Sequence, residues 1–201
     1  MPKLEILFLA AGESSRMEQS KALLDWHGEP LISYQIRKLE ALGLSISVVL
    51  GGYVDQIEPI LKELSIKTFF NPDWQEGMGK SLAYGVTKLL EASPEMEGIL
   101  VYLVDQPLIA LEDLHELIKT HAENPEKIII SRSAQGWSGP PAIFPKNFYA
   151  ELSQLESDEG AKPLVKKHSD SVIFYSCHSS MEDMDTPEAY RNLLDKSSLQ
   201  S

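Results

Sequence analysis

The sequence predicts an α/β fold around a mostly parallel sheet. Two observations carry this. Short apolar runs alternate with segments of helical spacing along the chain. Within the runs apolar residues are consecutive rather than alternating, as expected for strands covered on both faces.

Leu4–Leu9 is an apolar run ending in Ala10-Ala11-Gly12 and reads as a buried strand. Residues 10–30 are rich in Gly, Ser and charge and read as a long loop. Leu31–Leu42 has helical spacing (Leu31, Ile32, Ile36, Leu39, Leu42) and stops at Gly43. Ile46–Leu50 is a second strand, followed by Gly51-Gly52; Asp55–Leu64 is a helix and Ile66–Phe70 a third strand. Residues 71–79 form a loop and Lys80–Ala92 the next helix. Gly98–Val104 is the most apolar stretch and reads as a central strand, ending at Asp105-Gln106-Pro107. Leu111–Ala122 is helical and Lys127–Ser131 a strand. Gly139-Pro140-Pro141 reads as a rigid turn before a short strand, Ala142–Phe144. Helical segments near Asn147–Leu155 and Ala161–His168, a strand Val172–Tyr175 and a helix Pro187–Leu194 complete the chain.

With 201 residues, no internal repeat and no linker, residues 1–201 are expected to form one domain. Hydrophobic residues make up 43% and charged residues 24%, enough for a core. The net charge of -12 opposes binding to nucleic acid or to an anionic membrane, so neither is expected as a partner. A bound phosphate must then be held by a few local cations and backbone N–H groups. One cysteine, Cys177, excludes a disulfide framework and fits a reducing compartment. The opening Met1-Pro2-Lys3-Leu4-Glu5-Ile6 has no long apolar stretch, so neither a signal peptide nor a membrane span is expected, and the cytoplasm is the expected location.

In such folds ligands lie beyond the carboxyl ends of the strands, which directs attention to residues 10–21, 51–53, 71–81 and 105–107. Small residues at Ala10, Ala11 and Gly12 let backbone N–H groups approach a bulky anion. Arg16 and Lys21 supply a planar fork and a point charge for phosphate oxygens. Composition alone equally allows an ordinary loop with two solvated cations. Asp105 ends the most buried strand, where it suits either a helix cap or a hard divalent cation. Asp185 is the second candidate ligand, with Asp183 behind it and Thr186 as a cap before Pro187.

Two look-alikes fail. Gly79-Lys80-Ser81 resembles the end of a P-loop, but the earlier glycine falls at Trp74. His115 to His121 resembles a zinc-protease motif, but the second histidine is required at Lys119; the two histidines stand roughly 240° apart on a helix and read as surface residues. His27, His168 and His178 show no ligand spacing, and Cys177 reads as a small buried side chain.

Six segments in order resemble the MobA/MocA-like nucleotidyltransferases, the molybdenum-cofactor nucleotidyltransferases. They are Leu9 to Ile32 (with Lys21-Ala22-Leu23-Leu24 and Gly28-Glu29-Pro30), Asn71 to Leu82, Asp105-Gln106-Pro107, Gly139 to Pro145, Asp158 to Lys162 and Asp183 to Glu188. The resemblance implies a three-layer α/β/α fold of the nucleotide-diphospho-sugar transferase (Rossmann-like) kind. It places the NTP-binding part at about 1–110 and the acceptor-binding part at about 111–195. It implies transfer of a nucleotidyl group from a nucleoside triphosphate to a phosphorylated acceptor, with release of pyrophosphate. Arg16, Lys21 and Asp105 are the catalytic residues so implied. Leu9, Ala10, Ala11, Gly12, Gly79 and Ser81 join them around the nucleotide, and Asp105 and Asp185 would hold Mg2+. Gly139, Pro140 and Pro141 would lie on the acceptor side of the cleft; apart from the resemblance, Gly160 and Lys162 begin a helix whose N-terminus could receive the acceptor's phosphate. Three positions depart from the family pattern: Glu18 and Ser157, where glycine is usual, and Gln106, where methionine is common.

Such a transfer is an in-line attack on the α-phosphorus, which asks the protein for positioning and charge neutralisation. A phosphate-monoester acceptor is largely dianionic near neutral pH and needs no general base. Family members that use CTP tend to read Leu-Ala-Ala-Gly, and the Cβ of Ala11 would crowd a purine. The expected donor is therefore CTP and the expected acceptor the phosphate of molybdopterin, with a molybdoenzyme apoprotein as a further partner. The alternatives are a GTP-dependent guanylyltransferase, a sugar- or alcohol-phosphate nucleotidyltransferase, and a non-catalytic molybdoenzyme maturation chaperone.

Overall fold

The structure, a computed structural model, describes residues 3–12, 19–156 and 158–198. Strand β1 (Leu4–Ala10) is buried at every position. A small hairpin, β2 (Asp25–Trp26) and β3 (Glu29–Pro30), follows, where the sequence predicts only loop. Its turn residues His27 and Gly28 both have positive φ, 56° and 90°, the geometry that closes a two-residue hairpin. Then come α1 (Leu31–Glu40), β4 (Ser45–Leu50), α2 (Val54–Glu63), β5 (Lys67–Phe70), α3 (Met78–Ala92), β6 (Gly98–Leu103) and α4 (Leu111–Glu123). The second half comprises β7 (Ile128–Arg132), β8 (Ser138–Pro145), α5 (Tyr149–Leu152), α6 (Lys162–Lys167), β9 (Val172–Ser176) and α7 (Pro187–Ser198).

Seven strands form one sheet in the order β5-β4-β1-β6-β8-β7-β9. All run parallel except β8, which is antiparallel to both neighbours. Alternation along β1 explains the layers. Ile6 and Phe8 pack with Ile32, Ile36 and Leu39 of α1, Ile57 and Leu61 of α2, and Leu114 and Leu117 of α4. Leu7 and Leu9 pack with Leu82, Val86 and Leu89 of α3, and with Leu152 of α5 and Leu164 of α6. The result is the three-layer α/β/α arrangement. A third cluster joins Leu193 of α7 and Met184 to Leu24, Trp26 and Leu31.

Two expectations are corrected. Gly139-Pro140-Pro141 is not a turn but part of β8. The register shifts here, Ile130 pairing with Ala142 but Ser131 with Gly139, so Pro140 and Pro141 fall in an irregularity where no ladder N–H is required of them. The Ser131 hydroxyl donates to the Pro141 carbonyl at 2.7 Å. His121 is not a surface residue but is fully buried, because it stands seven residues after Leu114 and four after Leu117 on the inner face of α4. Burial lowers its pKa and favours the neutral ring.

At the start of α4, Asp113 holds the segment that returns from β9 to the rim of the sheet. Its carboxylate accepts from the Tyr175 hydroxyl (2.6 Å), the His178 and Ser179 backbone N–H groups (3.0 and 2.8 Å) and the Ser179 hydroxyl (2.5 Å). Burial pushes this carboxyl up, but the hydrogen bonds outweigh it and bring the pKa down to about 2. A depressed carboxylate pKa stabilises the fold above about pH 4, and that contribution disappears as pH falls toward 2. Asp113→Ala should cost about 3 kcal/mol in urea unfolding at pH 7, leaving four donors without their acceptor. The difference from wild type should shrink as pH falls from 4 to 2; a difference that stays constant would show that the ionised form is not what counts.

Candidate active site

The carboxyl ends of β1 and β6 open into a cleft of about 490 Å³. Its wall includes Leu9, Ala10, Ala11 and Gly12 after β1, Ser20 and Lys21 beyond them, and Leu103, Val104 and Asp105 after β6. The opposite wall is Trp74, Gln75, Gly77, Met78 and Ser81. Close packing shapes this floor. A Cβ on Gly51 would lie 2.3 Å from the Ala11 carbonyl oxygen and 2.7 Å from Trp74, so only glycine lets the chain after β4 pass under the cleft.

Lys21 lies between two carboxylates. Its Nζ is 3.0 Å from Asp105 Oδ2 and also bonds Asp185 Oδ1. The ammonium is largely buried, which opposes its charge, but Asp105 and then Asp185 outweigh burial and hold its pKa above the ordinary lysine value. Two further hydrogen bonds explain how Asp185, distant in sequence, reaches Asp105: Met184 N–H donates to the Asp105 carbonyl (3.0 Å), and Gln106 Nε2 to the Met181 carbonyl (3.2 Å). Asp183 stands nearby, and burial, then Asp185 and Asp105, push its carboxyl up.

Asp105 Oδ1 is buried and has no hydrogen-bond partner among the described residues. A hard divalent cation needs such an oxygen, and magnesium is commonly held by one or two carboxylates with the remaining positions on water and phosphate. Asp105 and Asp185 fit that donor set. No group of three or more His, Cys, Asp or Glu converges among the described residues, so a site made of protein ligands alone is not offered there.

Behind Asp105 the loop is fixed from α1. Gln35 Nε2 donates to the Val104 carbonyl at 2.6 Å, and the buried Tyr102 hydroxyl contacts both Gln35 Oε1 (2.8 Å) and the Gln106 carbonyl (3.2 Å). Lys38 Nζ donates to the Pro107 and Ile109 carbonyls, each at 2.9 Å. Burial brings the Lys38 pKa down to about 7.

The structure thus brings together Leu9, Ala10, Ala11, Gly12, Lys21, Ser81, Asp105 and Asp185. Arg16 lies outside the described residues. Gly79 is buried in the first turn of α3 and does not line the cleft. Gly160 packs against the cleft's mouth, where a Cβ would come 3.2 Å from Met78 Sδ. Lys162 is exposed at the start of α6, and Gly139, Pro140 and Pro141 begin β8 on the same rim as Asp105. Cys177 is buried beside Ser179, and burial raises its pKa to about 11, which does not suit a nucleophile. His27 and His168 bond Ser197 and Glu151.

Trp74 and Met78 sit in the loop that fold rules indicate, yet nothing about their chemistry singles them out. Gln35 and Lys38 carry a better signal: two polar residues three apart, turned toward the core side of an amphipathic helix.

Residues 6–172 match the family described as MobA-like NTP transferase domain. The chain is 30% identical to the purine catabolism protein PucB of Bacillus subtilis, over 94% of this chain and 95% of that one. It is 30% identical to the molybdenum cofactor guanylyltransferase of Pseudomonas fluorescens, over 72% and 69%. Among solved structures, Rv0371c of Mycobacterium tuberculosis superposes with a TM-score of 0.85 at 25% identity, covering 96% of this chain and 98% of that one. A structure of Rv0371c in complex with manganese matches with a TM-score of 0.80 at 24% identity over the same shares.

Proposed function

The chain belongs to the MobA-like NTP transferase domain family, and on that premise we propose that it transfers CMP from CTP to the phosphate of molybdopterin, releasing pyrophosphate. The observation that carries this reading is the cluster of Lys21, Asp105 and Asp185 at the edge of a nucleotide-sized cleft. In it the NTP-binding part runs to about residue 110 and the acceptor-binding part from about 111 to 195.

Asp105 and Asp185 would hold a divalent cation, Mg2+ in this reading, with manganese the ion in the mycobacterial complex. When bound, that cation supplies charge neutralisation to the triphosphate. The chain's own residues do the rest. Backbone N–H groups of Ala10 to Gly12 line the phosphates. Lys21, released from its carboxylates, faces the β- and γ-phosphates as the α-phosphorus–oxygen bond to pyrophosphate breaks and the acceptor's phosphate oxygen bonds to the α-phosphorus. Arg16 joins it. Trp74, Met78 and Ser81 form the wall against the nucleoside. The acceptor phosphate arrives already ionised, which agrees with a cleft wall that holds no histidine among the described residues.

Ala11 supports CTP, because its side chain lines the cleft and packs in the same cluster as Trp74, narrowing the space a purine would occupy. A GTP-dependent guanylyltransferase is the second reading, favoured by the Pseudomonas fluorescens relative. A sugar- or alcohol-phosphate acceptor keeps the same donor half. A non-catalytic maturation chaperone is disfavoured by the joint presence of Lys21, Asp105 and Asp185.

Calorimetric titration with CTP and with GTP, each with magnesium, separates these. CTP is expected to bind at least tenfold more tightly than GTP, and CMP transfer to molybdopterin should follow in an assay of pyrophosphate release. Equal or tighter GTP binding would replace cytidylyl with guanylyl transfer. Turnover absent with every NTP and acceptor would favour the chaperone.

A further inference from the structure

We propose that Gln106 is a positioning residue: the hydrogen bond from its amide to the Met181 carbonyl seats Asp185 beside Asp105, and so sets how tightly the two carboxylates share a divalent cation. The proposal rests on the reading of Asp105 and Asp185 as cation ligands and names what keeps them a pair.

Topology creates the need. Asp185 belongs to a segment, residues 177–186, that leaves β9 at the edge of the sheet and passes the ends of β7 and β8 before it reaches β6. The segment holds no helix or strand, and α7 begins only at Pro187. Its first part is tied to Asp113 through the backbone N–H groups of His178 and Ser179. Its last part is tied to the exit of β6 at two points. The Met181 carbonyl accepts from Gln106 Nε2 at 3.2 Å, and Met184 N–H donates to the Asp105 carbonyl at 3.0 Å. Asp185 follows the second tie directly. Its own side chain is 46% exposed, so packing does little to fix it and the backbone ties carry more of its placement. Placement matters because the Lys21 ammonium bonds both carboxylates at once, so the pair is spaced for one shared cation.

Gln106 is suited to be the anchor. Its backbone is held from behind, where the Tyr102 hydroxyl meets both the Gln106 carbonyl (3.2 Å) and Gln35 Oε1 of α1 (2.8 Å). Its side chain is buried, and Oε1 has no partner among the described residues. As a filler of space it is a poor choice, since an unpaired buried acceptor is costly and the methionine common at this position in the family would carry no such cost. What glutamine adds is an N–H donor, and only its amide nitrogen can face a carbonyl; a thioether has nothing to donate.

The test titrates Mn2+ into the protein by electron paramagnetic resonance, without nucleotide. Gln106→Met nearly conserves the side-chain volume and is expected to fold. It should bind Mn2+ about fivefold more weakly, a smaller loss than the roughly tenfold of Asp185→Asn, because it displaces a ligand rather than removing one. Gln106→Leu, a second variant without the donor, should repeat that loss. The double variant separates positioning from general support of the fold. If Gln106 acts through Asp185, adding Gln106→Met to Asp185→Asn changes Mn2+ affinity by less than about 1.5-fold; if it supports only the fold, the two losses multiply to about fiftyfold. Unchanged Mn2+ affinity in both single Gln106 variants, or multiplied losses in the double variant, overturns the positioning role and leaves the Asp105–Asp185 cation site standing. If neither Asp105→Asn nor Asp185→Asn weakens Mn2+ binding, the cation reading itself falls and the positioning role falls with it.

Discussion

Asp105→Asn is expected to reduce magnesium-dependent CTP affinity by roughly a hundredfold, about 3 kcal/mol, without unfolding the protein. The size follows from the arrangement. Asp105 offers one oxygen to Lys21 and has a second, buried and without a partner among the described residues, that suits a cation. An amide retains the shape and the backbone carbonyl that binds Met184, so the loop stays in place. It loses the charge that makes a hard-cation ligand. Asp185→Asn should do less, about tenfold, because its side chain is 46% exposed and water can replace it. Titration of Mn2+ by electron paramagnetic resonance, without nucleotide, reports the same loss directly. If Asp105→Asn binds Mn2+ and CTP as wild type does, Asp105 is a structural cap and the metal lies elsewhere.

Lys38→Met is expected to destabilise the protein by about 2 kcal/mol at pH 9, and by progressively less toward pH 7. The variant leaves the Pro107 and Ile109 carbonyls without their donor. The pH dependence follows from burial, which lowers the lysine pKa from 10.5 to about 7. Between those values the unfolded chain binds a proton that the folded chain has released, so wild-type stability rises with pH across that window. The neutral amine still has two N–H groups for its two carbonyls. The rings of Tyr34 and Tyr102 flank the nitrogen, 6.0 and 5.7 Å away, and favour the charged form weakly. Urea denaturation at pH 6, 7.5 and 9 tests this; a gap independent of pH would mean that Lys38 does not titrate near neutrality. Since Lys38 fixes the turn after Asp105, CTP affinity should fall in the same variant.

Much of this site is legible in the sequence because its parts obey local rules. β1, β4 and β6 are largely apolar and almost wholly buried, and Asp105 follows the most apolar of them. Lys21 and Asp185 are each legible as candidates, but their meeting is not, since no local pattern connects positions 164 residues apart. The hairpin of β2 and β3 is invisible because two-residue strands carry no periodicity and His27-Gly28 lacks the usual Asn-Gly signature. Pro140-Pro141 suggests a turn because proline cannot donate to a ladder; a register irregularity excuses it from doing so. His121, Gln35 and Lys38 share another cause. A polar residue on an inward helical face reads as a break in the pattern until the partner surface is known, and that surface comes from distant sequence.

The lone reversed strand, β8, has a consequence for how such a protein diversifies. Because it runs against its neighbours, the connection that precedes it is a short tip that crosses no face of the sheet and holds no helix in place. Residues 133–137 can therefore be lengthened, shortened or exchanged with little disturbance to β1, β6 or the cleft at their carboxyl ends. The buried strands keep their pairing while one exposed tip on their rim is open to change.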